Sequence, residues 1–193
     1  MRLTFKGGVH PFEGKEMSKD CPVEKYLPKA DLAYPLSQHI GAPAKAVVAK
    51  GDHVLAGQMI AEAGGFVSVP IHASVSGTVK GIEKRLTATG GMVDSIIVEN
   101  DGLYEETEFH PANPADLTRE EIIGRIRDCG VVGLGGAGFP THVKLSPKDP
   151  DKIEYILVNG AEGEPYLTSD YRRMMDQPEK VVEGLKIVVG LFP

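Results

Sequence analysis

"KAVVAKGDHVLAGQMIAEAGGFVSVPIHASVSGTVKGIEKRLTATGGMVDSIIVEND", Lys45 to Asp101, breaks into short aliphatic and β-branched runs separated by glycines. Val47-Val48, Met59 to Ala63, Phe66 to Val69, Gly77 to Arg85 and Met92 to Glu99 are all of strand length. Gly51-Asp52, Gly57, Gly64-Gly65, Gly77 and Gly90-Gly91 punctuate them. The stretch predicts a compact all-β unit. Before it, residues 1 to about 35 are rich in Gly, Pro and Lys and read as an irregular lead-in, so the unit is placed at residues 1–100. After it, "DGLYEETEFHPANPAD" is acidic and proline-bearing without an apolar repeat, and residues 101–117 read as a linker.

The period then changes. Thr118 and Glu121 make a T-x-x-E capping box, Ile122, Ile126 and Cys129 follow at i, i+4, i+7, and Gly130 offers a left-handed stop. A helix over about 119–129 is predicted. "KIEYILVNG" (152–160) suits a buried parallel strand. Pro178 opens a second helix with Val181, Val182, Leu185, Val188 and Val189 on one face. Residues 118–193 therefore read as helix, glycine loop, strand, polar loop, helix: the start of an α/β domain, incomplete because so few strands cannot build a sheet.

Composition narrows the function. Net charge is −6, tryptophan is absent, and there are six tyrosines and six phenylalanines, which argues against nucleic acid as a partner. Cys21 and Cys129 are the only cysteines, which argues against a disulfide framework or a cysteine-ligated metal site and for free thiols. The start lacks a signal-peptide core, and no stretch approaches the roughly 20 apolar residues of a membrane span. His10, His39, His53, His72, His110 and His142 have no metal spacing and read as structural or surface residues.

"GVVGLGGAGFPTHVKLSP", from Gly130, holds a G-x-G-x-x-G run at Gly133, Gly135 and Gly138. A dinucleotide turn needs such glycines after a strand and before a helix, yet here they follow a helix and Pro140 comes two residues later. A P-loop needs Lys and Ser or Thr after its last glycine, where this chain has Phe139. What remains is bare backbone at 133, 135, 136 and 138 that can lie against a flat ring or cradle an anion, with Lys144 close by to neutralise a phosphate. A second loop, "VNGAEGEPYLTSDYR", offers Asn159, Glu162 and Glu164. Carboxylates there suit a hydroxyl-rich ligand and would repel an extra phosphate, favouring NAD over NADP.

"GLGGAGFPTHVK" with "VNGAEGEPYLTSD" resembles the flavin- and NADH-binding subunit of respiratory complex I, and more closely the RnfC family of the Rnf electron-transport complex. "FKGGVHPFEGKE", "PLSQHIGAPAKAVVAKGDHVLAGQ" and "GGFVSVPIHASVSGTVKGI" are similar to that family's amino-terminal part, so the likeness spans nearly the whole chain. "GDHVLAGQMIAEA" with "VSVPIHASVSGTV" is also similar to biotinyl and lipoyl carriers, a barrel-sandwich hybrid. The fold class implied is α+β: an all-β barrel-sandwich hybrid, then the incomplete start of an α/β Rossmann-like flavin domain.

The resemblance implies a peripheral subunit of a membrane-bound, ion-translocating ferredoxin:NAD oxidoreductase on the cytoplasmic face of the membrane. Its partners would be the other Rnf subunits, membrane subunits included. Noncovalent FMN would exchange hydride with NAD(H) and pass electrons to two [4Fe-4S] clusters in a C-terminal region absent here, so this piece alone would be inactive. Gly133, Gly135, Gly136 and Gly138 would line the flavin, Phe139 would stack on NADH, and Lys144 would meet the FMN phosphate. Asn159, Glu162 and Glu164 would approach the ribityl chain and dinucleotide. No side chain stands out as a general acid or base.

Three positions depart from the patterns: Leu134 stands for an arginine, Ala161 for an aspartate, and Gly163 where Rnf relatives carry cysteine. The carriers' cofactor-bearing lysine is missing from the hairpin tip "AGGFVSV", which excludes covalent carriage. The competing function is a docking module that anchors a flavin domain to membrane partners and binds no cofactor.

Overall fold

The structure is a computed structural model and describes Val9 and residues 11–193. His10 and the Phe5–Gly8 part of the first family motif lie outside the described residues. The described residues form two compact units: Leu27–Pro150, and the described residues up to Tyr26 together with Asp151–Pro193.

The first unit carries seven strands: β1 (Leu32–Pro35), β2 (Lys45–Ala46), β3 (His53–Val54), β4 (Met59–Glu62), β5 (Ile71–His72), β6 (Gly77–Leu86) and β7 (Met92–Asn100). They make two antiparallel sheets, ordered β1-β7-β6-β3 and β2-β4-β5. β6 and β7 are a long hairpin closed at Thr87–Gly91, where the Thr87 amide donates to the Gly91 carbonyl at 2.9 Å. β7 is flanked on both sides, and Ser95 through Val98 are all buried, so the middle of this strand is covered on both faces rather than on alternate residues. Val54, Ile60, Val75, Val79, Ile96 and Val98 are fully buried and join one core cluster. Burying a side chain of that size stabilises by about 1.5–3 kcal/mol. Two-residue strands such as β2, β3 and β5 have too few ladder bonds to hold themselves, and the core holds them.

The all-β reading is right, but its segments shift. Phe66–Val69 is not a strand; the strand is β5, beyond Pro70. The 66–69 backbone is satisfied irregularly instead, its Val67 carbonyl accepting from Ala42 N at 3.0 Å and Val69 N donating to His39 Nε2 at 3.3 Å. Val47-Val48 lies just past β2, with Val47 N donating to the Ile60 carbonyl at 3.0 Å. The lead-in contains β1, paired in register with Ser95–Val98, and β3 is a further strand that the pattern does not mark. Both are too short to announce themselves and exist because β7 and β6 offer them a partner edge. The acidic linker is tied to the barrel at its start. Ser76 Oγ donates to Asp101 Oδ1 at 2.7 Å, and Ala56 bridges Glu106.

The first unit ends with α1 (Arg119–Asp128) and a one-turn α2 (Thr141–Lys144). The capping box forms as expected: Glu121 N donates to Thr118 Oγ1 at 3.3 Å and Thr118 N to Glu121 Oε2 at 2.7 Å. Ile122, Ile123 and Ile126 are half-buried, while Cys129, like Cys21, is an exposed free thiol.

The second unit holds α3 (Ser169–Asp176) and α4 (Pro178–Val189). Here the predicted buried strand at 152–160 fails: beyond a short turn ending at Lys152 the segment is irregular, and Tyr155 and Leu157 are 80% and 91% exposed. No strand of the described residues lies beside it, and a parallel strand cannot form without neighbours to take its amides and carbonyls. α4 matches its prediction; α3 lies in what reads as a polar loop. Arg172 makes a two-pronged contact with Asp176, at 2.7 and 2.9 Å, one turn along α3. Among the described residues no helix is long and apolar enough to cross a membrane, and no cluster of three His, Cys, Asp or Glu could hold a metal.

Candidate cofactor site

The glycine loop begins where α1 stops. Gly130 turns the chain at φ +69°, the left-handed exit its position predicts. Val132 and Pro140 then bridge antiparallel, with Gly133 N donating to the Phe139 carbonyl at 2.9 Å and Thr141 N to the Val131 carbonyl at 3.0 Å. The chain between them is a closed loop, and Pro140 starts α2 with its fixed φ.

Two kinds of glycine occupy that loop. Gly138 sits at φ +60°, and a Cβ there would lie 2.7 Å from the Gln38 carbonyl oxygen and 2.9 Å from His39 Cα. Its bare backbone lets the loop rest on the 38–40 segment, where Ile40 N donates to the Ala137 carbonyl at 3.2 Å. Gly135 and Gly136 serve differently: a Cβ at either would meet nothing within 4 Å. These two expose main chain to open space, which is the cradle a flat ring or an anion requires.

Lys144 ends α2, and its Nζ lies 3.9 Å from where a Gly133 Cβ would sit and 5.9 Å from the centre of the Phe139 ring. That is cation–π range. Among the described residues the ammonium has no carboxylate partner. The loop therefore assembles Gly133, Gly135, Gly136, Gly138, Phe139 and Lys144 as the sequence groups them.

Asn159, Glu162 and Glu164 belong to the second unit. Asn159 Oδ1 accepts from Ala161 N at 3.0 Å, a local turn. Glu162 Oε1 accepts from Ser169 Oγ at 3.0 Å and from Asp170 N at 3.1 Å, so this carboxylate caps α3, whose own Thr168 makes no side-chain cap. Burial would push its pKa up, but the amides of Asp170 and Tyr171, the Ser169 hydroxyl and the Lys15 charge outweigh that and hold it below the usual glutamate value. Lys15 Nζ also donates to the Glu162 and Leu167 carbonyls at 2.7 and 2.8 Å, stitching the amino-terminal segment to this loop. Glu164 is exposed.

Sequence spacing misses the barrel side of the glycine loop. A hollow of about 470 Å³ opens there, with the loop on one side and Tyr34, Gln38, His39, His72 and Ser74 among the residues on the other. Its size falls within the ordinary range for small-molecule sites, about 300–1,000 Å³. The histidines behave as structural residues where their partners are seen. His39 is buried with Nδ1 against the Ile40 carbonyl at 2.9 Å, and His142 Nε2 lies 3.0 Å from the Phe66 carbonyl. His72 is half-buried on β5; burial lowers its pKa, partly countered by a hydrogen bond to the Asp128 backbone.

Two family models match the chain: the RnfC barrel sandwich hybrid domain over residues 3–103 and the Nuo51 FMN-binding domain over residues 126–192. The sequence is 45% identical over 188 residues to the C component of the Na(+)-translocating ferredoxin:NAD(+) oxidoreductase complex of Acetobacterium woodii, covering 96% of this chain and 42% of the relative. It is 44% identical over 195 residues to the proton-translocating counterpart of Clostridium ljungdahlii, covering 100% of this chain and 42% of the relative. It is 35% identical over 187 residues to the C component of the ion-translocating oxidoreductase complex of Haemophilus influenzae, covering 95% and 29%. The chain thus spans less than half the length of these relatives.

Proposed function

We propose a function on the premise that this chain belongs to the RnfC family: it is part of a peripheral, flavin-bearing subunit of an ion-translocating ferredoxin:NAD oxidoreductase. One observation carries the reading. The FMN-binding family match falls on the loop whose Gly135 and Gly136 leave main chain open and whose Lys144 lacks a carboxylate partner among the described residues. These residues fit a noncovalent FMN. When bound, that cofactor would supply hydride exchange with NAD(H) and electron transfer toward [4Fe-4S] clusters.

The chain's own residues bind and orient. Gly133, Gly135, Gly136 and Gly138 form the floor, Lys144 neutralises the phosphate, and Phe139 presents a face for the nicotinamide nucleotide. In the second loop Glu162 Oε1 holds the backbone in shape by capping α3, and Asn159, Glu162 and Glu164 are the groups assigned to meet hydroxyls. No residue is assigned a proton-transfer role, and the protein's contribution is binding and electrostatics. Residues 118–193 are read as the opening of a Rossmann-like flavin domain. The other subunits of the complex, membrane subunits among them, are the partners, and the cytoplasmic face of the membrane is the location.

Flavin content tests this. The protein isolated from its own cells carries FMN, Lys144→Ala releases it during gel filtration, and Lys144→Arg restores part of it. Unchanged flavin in Lys144→Ala removes that residue from the site. A wild-type protein without FMN sinks the redox assignment and leaves a docking role.

A further inference from the structure

The hollow between the glycine loop and the barrel has a lining that neither side would predict alone. None of its lining residues is an aspartate, glutamate, lysine or arginine, and Lys144 is not among them. Its polar side chains include Tyr34 Oη and Ser74 Oγ, which bond each other at 2.9 Å, the exposed Gln38, the buried His39, and His72, whose burial favours the neutral ring. A phosphate has no counter-charge in such a place. An uncharged planar ring system suits it, since it can lie on bare main chain and meet neutral donors at its edge.

The two walls also differ in stiffness. Tyr34 stands on β1 and His72 on β5, strands pinned by the barrel core, with the Tyr34 hydroxyl further accepting from Ser74 N at 3.0 Å. The opposite wall is loop. The loop is set against the barrel by Gly138 on the 38–40 backbone and by Gly130, where a Cβ would come 2.8 Å from the Pro70 carbonyl oxygen and 3.3 Å from His72 Nδ1. A site on rigid strands keeps its geometry better than one built on a loop alone.

We infer that the barrel-sandwich domain is itself half of the cofactor site: the ring portion of the flavin occupies this hollow, with Gln38 and His72 as its barrel-side contacts and Lys144 left outside for the phosphate. This rests on the proposed FMN function and adds that the barrel does more than dock.

The test uses the protein as its cells make it, with variants introduced at the native gene, and reads FMN affinity, the absorption spectrum of bound flavin and the melting temperature. Gln38→Trp fills the hollow from an exposed position whose side chain has no bonding partner among the described residues, and it is expected to weaken FMN at least about tenfold. His72→Phe keeps a ring but removes its nitrogens, and it is expected to weaken FMN about fivefold and shift the flavin spectrum. Gly135→Val, on the glycine loop but outside the lining of the hollow, is the reference. Loss of FMN in all three with melting temperatures near wild type supports the inference. Loss in Gly135→Val alone, with wild-type affinity and spectrum in both barrel variants, overturns it while the FMN function stands. A wild-type protein without flavin removes both.

Discussion

Exchanging a single hydrogen for a methyl at two glycines of the same loop should give opposite results. In Gly138→Ala the residue must keep φ +60°, and its new Cβ would start 2.7 Å from the Gln38 carbonyl oxygen and 2.9 Å from His39 Cα. Left-handed backbone costs a non-glycine residue about 1–2 kcal/mol. Both close atoms are backbone rather than a movable side-chain end, and such overpacking adds about 1–3 kcal/mol. Together these come to about 2–5 kcal/mol. Relief requires the loop to lift off the barrel and break the 3.2 Å bond from Ile40 N to the Ala137 carbonyl. Gly135→Ala meets nothing within 4 Å and is not at positive φ. It should leave stability unchanged or raise it by about 0.4–1 kcal/mol by restricting the unfolded chain. Yet its methyl occupies the open face of the cradle, so FMN affinity should fall. Urea unfolding at constant m-value measures the first quantity and flavin titration the second. Equal stabilities for the two variants, or a Gly138→Ala protein within about 0.5 kcal/mol of wild type, would refute the close-approach argument.

Two further outcomes follow from the core and the second unit. Ile96→Ala, in a fully buried position of β7, should destabilise the barrel by about 2–5 kcal/mol in denaturant unfolding; a loss under about 1 kcal/mol would mean Ile96 is not core. Glu162→Gln tests the cap on α3: its carboxyl is held below the ordinary value, so its stabilisation is complete above the usual glutamate range and is lost as pH falls through the lower folded value. Melting followed between about pH 3 and 6 should therefore decline on the acid side in wild type and less steeply in the variant; parallel curves would show that Glu162 does not cap the helix.

How much is legible from residue order depends on whether a signal is local. The T-x-x-E box at Thr118 and Glu121, the stop at Gly130 and the apolar stripe opening at Pro178 each depend on neighbours within a few positions, and α1 and α4 follow them. The glycine, aromatic and lysine grouping from Gly133 to Lys144 is readable for the same reason: one closed loop and one helical turn carry it. β1 and β5 are not, because strands of four and two residues exist only through distant edges, Leu32 opposite Val98 and Ile71 opposite Ala61. The run at 152–160 shows the converse, since strand-like composition without a neighbouring strand leaves Leu157 exposed. Glu162 reads in the sequence as a ligand contact, and only folding brings a helix start within its reach. Local chemistry thus determined where backbone would be bare and where helices would begin. Tertiary structure alone decided which barrel residues face that bare backbone, because Gln38 and His72 reach it through sheet pairing and close packing that no spacing in the chain encodes.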